Sequence, residues 1–364
     1  MVVFNYVKIA NVYFKNGVDD MDFGKRKILV MGESNSVMRG GWVQGLADGL
    51  EGKYEVVNKS IGSTGVLNVI QQIIKLGDRV EDFDFILLDH FINDVHFFLG
   101  AKDRYFFLIN QVYKYLNQLG IPFLIVAFSR RNLDHSSQVF LGEIFTFLNE
   151  NNIFFYDVSK RLEAMNSSES GDLSQLYQDS AHPYPYVSYR IGVDLASNLE
   201  SYGAKCFHDD GGEKFKFCSI DVDSLMGCSG FDDNSIVDIK NSLISYKLIA
   251  LRDGVFLSWE IPPELRGGEL VGMVFNATSA IGFFNLETAG LKLTKSISNA
   301  YSGKIAPIIW ARPIHKKIVL GDKLLVWVNG NASCFEKTEF CDVDLAFENR
   351  CGIELFSLIV LARD

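Results

Sequence analysis

Between residues 25 and 200, short apolar runs alternate with stretches in which apolar side chains recur every three or four positions. The runs 28–31, 54–58, 83–88, 123–128 and 153–156 have the length and the Val, Ile, Leu and Phe content of buried strands. Between them, Trp42, Val43, Leu46 and Leu50 mark one helical stripe, and Tyr105, Ile109, Val112 and Leu116 mark another. A last helix is expected over about 186–201, with Ile191 and Leu195 turned toward the sheet. Strands that alternate with helices form βαβ units, so the pattern predicts an α/β domain with five parallel strands and helices on both faces, over residues 27–202.

After Gly203 the texture changes. Turn signals at Asp253-Gly254, Gly267-Gly268, Gly321-Asp322 and Asn329-Gly330 separate short runs such as 247–251, 255–259, 270–275 and 323–328. Helical periodicity is scarce there, and residues 203–364 are expected to form an all-β sandwich or jelly roll. Residues 1–26 stand outside both regions as a strand-like extension. Val3, Tyr6 and Val7 suit a strand that pairs with the β domain.

Three separated segments carry the candidate chemistry. Gly32-Glu33-Ser34-Asn35-Ser36 follows the first apolar run and precedes a helix, which puts Ser34 on a strand-to-helix turn facing solvent. Phe91-Ile92-Asn93-Asp94 follows the third run. Asp179-Ser180-Ala181-His182 sets a carboxylate three residues before an imidazole. Each has an ordinary reading: Ser34 or Ser36 as a helix N-cap, Asn93-Asp94 as a turn, Asp179 and His182 as a surface pair. Together they supply a nucleophile, a base and the acid that orients it. The first and third segments lie at the carboxyl ends of strands, where open parallel sheets bind their ligands.

In this order the segments resemble the sequence blocks of the SGNH (GDSL-type) hydrolase family, over roughly residues 27–200. Gly32-Glu33-Ser34 matches the Gly-Asp-Ser block with Glu for Asp. Phe91-Ile92-Asn93-Asp94 matches Gly-x-Asn-Asp with Phe for Gly, and Asp179 and His182 match Asp-x-x-His. The stretch Asn58 to Ser63 matches the block that gives a backbone donor, from Gly62 or, one residue along, from Ser63. The resemblance implies a flavodoxin-like three-layer α/β/α domain. It also implies a catalytic triad of Ser34, Asp179 and His182, with an oxyanion hole formed by the Ser34 and Gly62 backbone N–H groups and the Asn93 side chain. Phe91 and Ser63 are expected to line the substrate pocket, with Phe91 restricting the acyl group to acetyl.

Composition narrows the remaining choices. A net charge of −10 opposes phosphate backbones and anionic lipid, so neither nucleic acid nor a membrane surface is an expected partner. No uninterrupted apolar stretch is long enough to span a bilayer, and the first residues lack a signal-peptide pattern, so cytoplasmic residence is the expectation. Cys206, Cys218, Cys228, Cys334, Cys341 and Cys351 contain no Cys-x-x-Cys pair and are expected to be free thiols. Asp89, His90, Asp94 and His96 follow no recognised ligand spacing, and neither a metal nor another cofactor is expected.

The expected activity is therefore removal of a short acyl group, O-acetyl above all, from a carbohydrate or glycan precursor through an acyl-serine intermediate. Two alternatives stay open: transfer of the acyl group to a sugar hydroxyl, and a carbohydrate-binding or structural protein that keeps the fold without turnover. The β domain has three readings: sugar binding, covering one side of the cleft, or a homo-oligomer interface. Trp259, Trp310 and Trp327 are either sugar-stacking platforms or core.

Overall fold

The computed structural model describes residues 25–167, 173–202, 215–221, 235–240, 245–304, 306–336 and 351–363. The first part runs β1 (Arg26–Gly32), α1 (Ser34–Val37), α2 (Trp42–Gly49), β2 (Tyr54–Asn58), α3 (Val66–Leu76), β3 (Phe85–Asp89), α4 (Phe91–Phe97), α5 (Lys102–Gln118), β4 (Phe123–Ala127), α6 (His135–Glu150), β5 (Phe155–Asp157), α7 (Val158–Ser167) and α8 (Pro185–Asn198). The five strands form one parallel sheet in the order β2-β1-β3-β4-β5, the flavodoxin-like arrangement.

Strand alternation explains the layering. Ile28, Val30, Leu87, Leu124 and Val126 pack with Trp42 of α2 and Ile191 and Leu195 of α8. Leu29, Met31, Ile86, Leu88 and Ile125 point the other way, into a cluster with α3, α5 and α6. Since both faces are covered, the strands read as continuous apolar runs rather than alternating ones.

The second part is antiparallel: β6 (Phe215–Asp221), β7 (Ile236–Lys240), β8 (Ser245–Arg252), β9 (Phe256–Glu260), β10 (Glu269–Ile281), β11 (Phe283–Thr288), β12 (Leu291–Ser296), β13 (Ile309–Val319), β14 (Lys323–Asn329) and β15 (Gly352–Arg363). One sheet has the order β13-β10-β15-β8-β7, with β6 also paired to β15; the other has the order β12-β11-β14-β9. Leu270, Met273, Phe275, Phe284, Leu286 and Val326 fill the space between the two sheets. This is the expected sandwich. Trp259 and Trp310 are buried in it, whereas Trp327 is half-buried beside exposed Phe256 on the four-stranded sheet.

The larger sheet is buried on its other face as well. Val271, Val274, Ile309, Ala311, Ile359 and Leu361 join the same cluster as α3 and α5, so one hydrophobic core runs through both parts of the chain. The approach is close: a β-carbon on Gly272 would lie 2.9 Å from Leu67 Cδ1 on α3. Polar ties cross the seam too. Arg104 of α5 pairs with Glu269 and donates to the Leu270 carbonyl at 3.0 Å, and Ser357 donates to Gln71 at 3.2 Å. The strand-like segment 1–14 lies outside the described residues, as do Cys206, Cys228 and Cys341. Among the described residues no helix is long and apolar enough to cross a membrane, and no group of three or more His, Cys, Asp or Glu is placed to hold a metal ion.

Candidate active site

Ser34 opens α1 directly after β1, at the carboxyl edge of the parallel sheet. The turn is tight enough that a β-carbon on Gly32 would meet Ser36 Oγ at 2.2 Å and Asp89 Cβ at 2.9 Å, so only glycine fits there. Neither serine is an N-cap: Glu33 holds that position, and its side chain makes no capping bond. Ser36 instead donates to buried Asp89 at 2.6 Å, leaving Ser34 half-buried, with Oγ 2.7 Å from His182 Nε2.

The Asp179–His182 loop is held as a small bracket. Tyr177 and Pro183 form an antiparallel bridge, Gln178 N–H donates to the His182 carbonyl at 2.9 Å, and Pro185 then starts α8. Inside the bracket His182 Nδ1 lies 2.8 Å from Asp179 Oδ2, while Oδ1 accepts the Ala181 and His182 amides at 2.7 and 2.9 Å. Partial desolvation works against ionisation of Asp179, but these donors outweigh it and hold the carboxyl below its ordinary value. An ionised Asp179 accepting Nδ1–H leaves Nε2 free to accept the Ser34 proton.

Two backbone N–H groups lie beside the serine. The Ser34 N–H is the first of α1 and has no intrahelical acceptor. Gly62 lies against the serine: a β-carbon on it would be 3.8 Å from Ser34 Cα and 3.9 Å from Ser34 Cβ. Ser63, the other candidate in that stretch, has φ of 59° and is half-buried in the turn after Gly62.

Two expectations are corrected. Asn93 does not present a third donor, because its Nδ2 donates both to the Glu33 carboxyl and to the Thr64 carbonyl at 2.9 Å. A side-chain amide has two N–H bonds, and both are taken. The Asn93 backbone N–H also donates to Glu33, at 3.1 Å. The acceptor is the glutamate that stands where the first segment's matching block has aspartate. Phe91 does not line a pocket either. It is buried at the start of α4, edge-on to His90 and Phe145, so it is a core side chain with no reach to an acyl group.

Beneath the serine lies a buried acidic cluster. Burial, reinforced by the Asp89 and Asp94 carboxylates, pushes Glu33 well above the usual carboxylate range. Burial likewise pushes Asp89 up to about 6, with the Ser36 hydroxyl opposing. Asp94 serves the fold, since it accepts the Val66 N–H at the start of α3, at 3.0 Å, and pairs with His90 Nδ1 at 2.8 Å. Asp89 and His90 are thus engaged by Ser36 and Asp94.

The loop that carries Gly62 is fastened from several sides. Ile61 N–H donates to the Gly32 carbonyl at 3.0 Å, and Thr64 Oγ1 donates to the Ile61 carbonyl at 2.5 Å. From the β domain, buried Arg312 donates Nη1 to the Ser63 carbonyl at 3.2 Å, its guanidinium sandwiched by the Trp310 and Phe97 rings at 3.6 and 4.0 Å. Sequence reading missed Arg312. The only local signal was an arginine within an apolar strand.

No protein-family model and no curated protein matches the sequence. Among solved structures, it is similar to a two-domain esterase (CEX) active on acetylated mannans, at 11% identity and a TM-score of 0.59, over 93% of this chain and 92% of that one. The same esterase co-crystallised with mannopentaose gives the same identity and TM-score, over 93% and 91%. The chain has that two-domain fold. The likeness spans the parallel sheet and the sandwich together, as expected for an SGNH-type α/β domain followed by antiparallel sheets.

Proposed function

We propose that this chain is a serine-dependent carbohydrate esterase that removes a short acyl group, O-acetyl above all, through an acyl-serine intermediate. The observation that carries the reading is the continuous chain from Asp179 through His182 to Ser34 Oγ, with hydrogen-bond distances of 2.8 and 2.7 Å. Nε2 takes the hydroxyl proton as Oγ attacks the ester carbonyl, Asp179 stabilises the imidazolium, and the proton then goes to the departing sugar oxygen. Water, activated by the same imidazole, releases the acid. The Ser34 and Gly62 N–H groups are the donors for the oxyanion.

Two observations favour a sugar as the acyl carrier. Just past His182, Tyr184 and Tyr186 are 40% and 60% exposed and stack on each other at 5.9 Å, which leaves aromatic surface on which a sugar can pack. A structural neighbour over 93% of the chain is an esterase active on acetylated mannans.

A second reading, a sugar-binding protein without turnover, is favoured by one observation: the Asn93 amide is held by Glu33 and Thr64. Labelling with a fluorophosphonate, with release of acetate from acetylated sugars measured in parallel, decides between the two. Labelling of the parent and not of Ser34→Ala supports the esterase. A parent that neither labels nor releases acetate would leave the binding protein.

A further inference from the structure

An open cleft of about 380 Å³ lies on the loop between β4 and α6, walled by Arg130, Arg131, Leu133, Gln138, Leu141 and Phe145. Its loop is tied to the segment that carries the base. Arg131 N–H donates to the Ser180 carbonyl at 2.8 Å, tying this loop to the bracket that holds Asp179 and His182. Arg130 lies within electrostatic reach of both Glu33 and Asp179. The volume is within the range of small-molecule sites.

The charge of the cleft is unlike that of the chain around it. In a chain of net charge −10, two adjacent arginines line a cleft with no acidic residue in its lining. Arg130 Nε is buried without a hydrogen-bond partner, and Arg131 is exposed, its guanidinium 5.9 Å from the Tyr177 ring. Among the described residues neither arginine is in an ion pair. Two guanidinium charges without an ionic partner favour an anion over a neutral group. A guanidinium fork matches a carboxylate or a phosphate, and Leu133, Leu141 and Phe145 give the cleft an apolar wall suited to a sugar face.

We propose that this cleft binds an oxyanionic substituent, a carboxylate or a phosphate, on the acylated sugar whose ester is presented to Ser34. The inference deepens the esterase reading and rests on it for the acyl group. Neutral acetylated sugars would then be poorer ligands, because they leave the charge of the two arginines unmatched.

The test measures binding, so that turnover does not enter. The full chain carrying Ser34→Ala is titrated calorimetrically with three O-acetylated methyl glycosides: a neutral hexose, the corresponding hexuronate and the hexose 6-phosphate. At least one anionic ligand should bind about tenfold or more tightly than the neutral one, the range of a charged hydrogen bond, with the advantage shrinking as salt rises. Whichever anion binds more tightly identifies the substituent. Arg130→Met and Arg131→Met should each erase most of the preference; Arg131 is exposed, so its variant decides if Arg130→Met does not fold. Equal affinity for the three ligands, no binding of any, or a preference that survives Arg131→Met overturns the proposal. Ester hydrolysis without anion preference would retain the esterase and remove this inference; anion preference in a chain without Ser34-dependent hydrolysis would do the reverse.

Discussion

Shortening Glu33 should raise the rate of ester hydrolysis, an unusual outcome for a substitution in a buried site. The Glu33 carboxyl engages the Asn93 side chain and also its backbone N–H. Glu33→Asp withdraws the carboxyl by about one C–C bond, ~1.5 Å, which takes it out of reach of Nδ2 and frees one donor for the oxyanion. A donor of this kind is worth about 10²–10³ in kcat when fully aimed; Thr64 still holds the other N–H bond, so a gain of about tenfold is the expectation. Removing a buried methylene costs about 1 kcal/mol, with a little more for the lost backbone contact, small enough to leave the fold intact. Protonation of Glu33 does not achieve the same release, because a neutral carboxyl still accepts through its carbonyl oxygen. The assay is kcat for p-nitrophenyl acetate beside the urea midpoint. The double variant Glu33→Asp, Asn93→Ala should abolish the gain. A folded Glu33→Asp with no rise, or a rise that persists in the double variant, refutes the reasoning.

Ser34→Ala and His182→Ala should each lower ester hydrolysis by about 10³-fold or more with unchanged melting behaviour; substantial activity in Ser34→Ala would remove the nucleophile assignment. Arg312→Met should lower kcat about tenfold by loosening the Ser63 turn, with Arg312→Lys losing less; a folded Met variant with parental kcat would show that the turn does not depend on the β domain. Asp89, raised from 3.8 to about 6, makes the native state prefer the proton, so its stabilising effect is complete below pH 3.8 and is lost as pH rises through 6. The shift corresponds to about 3 kcal/mol, so Asp89→Asn should gain on the parent in urea midpoint between pH 4 and 7, and a constant difference would contradict the assignment. A chain ending at Tyr202 should lose its cooperative melt, because α3 and α5 would expose Leu67 and the apolar side chains around it; a sharp transition in that fragment would mean the parallel-sheet domain is self-sufficient.

The parallel sheet was legible because both of its faces are covered: Ile28 to Met31 and Ile86 to Leu88 read as unbroken apolar runs whichever side each residue faces. The hydrogen-bonded set of Ser34, Asp179 and His182 was legible because it depends on residue type and on turns with local signatures. Asn93 was misread for the opposite reason. Its type was right, but its availability depends on a side chain 60 residues away that reaches its amide. Phe91 was misread because residue type alone does not tell an acyl wall from a core ring; the side on which α4 packs does.

Arg312 shows the limit most clearly. Nothing between residues 58 and 66 signals that a guanidinium 249 positions away accompanies the Ser63 carbonyl, because the contact arises only once the larger sheet lies on α3. The same placement gives the β domain its bearing on function. A sandwich joined through a mobile linker would act by delivering substrate, and deleting it would alter affinity for long glycans alone. Here the sheet shares its core with the helices behind the active site and touches the loop that carries Gly62. Under the proposed mechanism its contribution would enter at the step where the oxyanion forms, for small acetates as well as for glycans, and the Arg312→Met variant assayed on a small acetate separates that role from an accessory one.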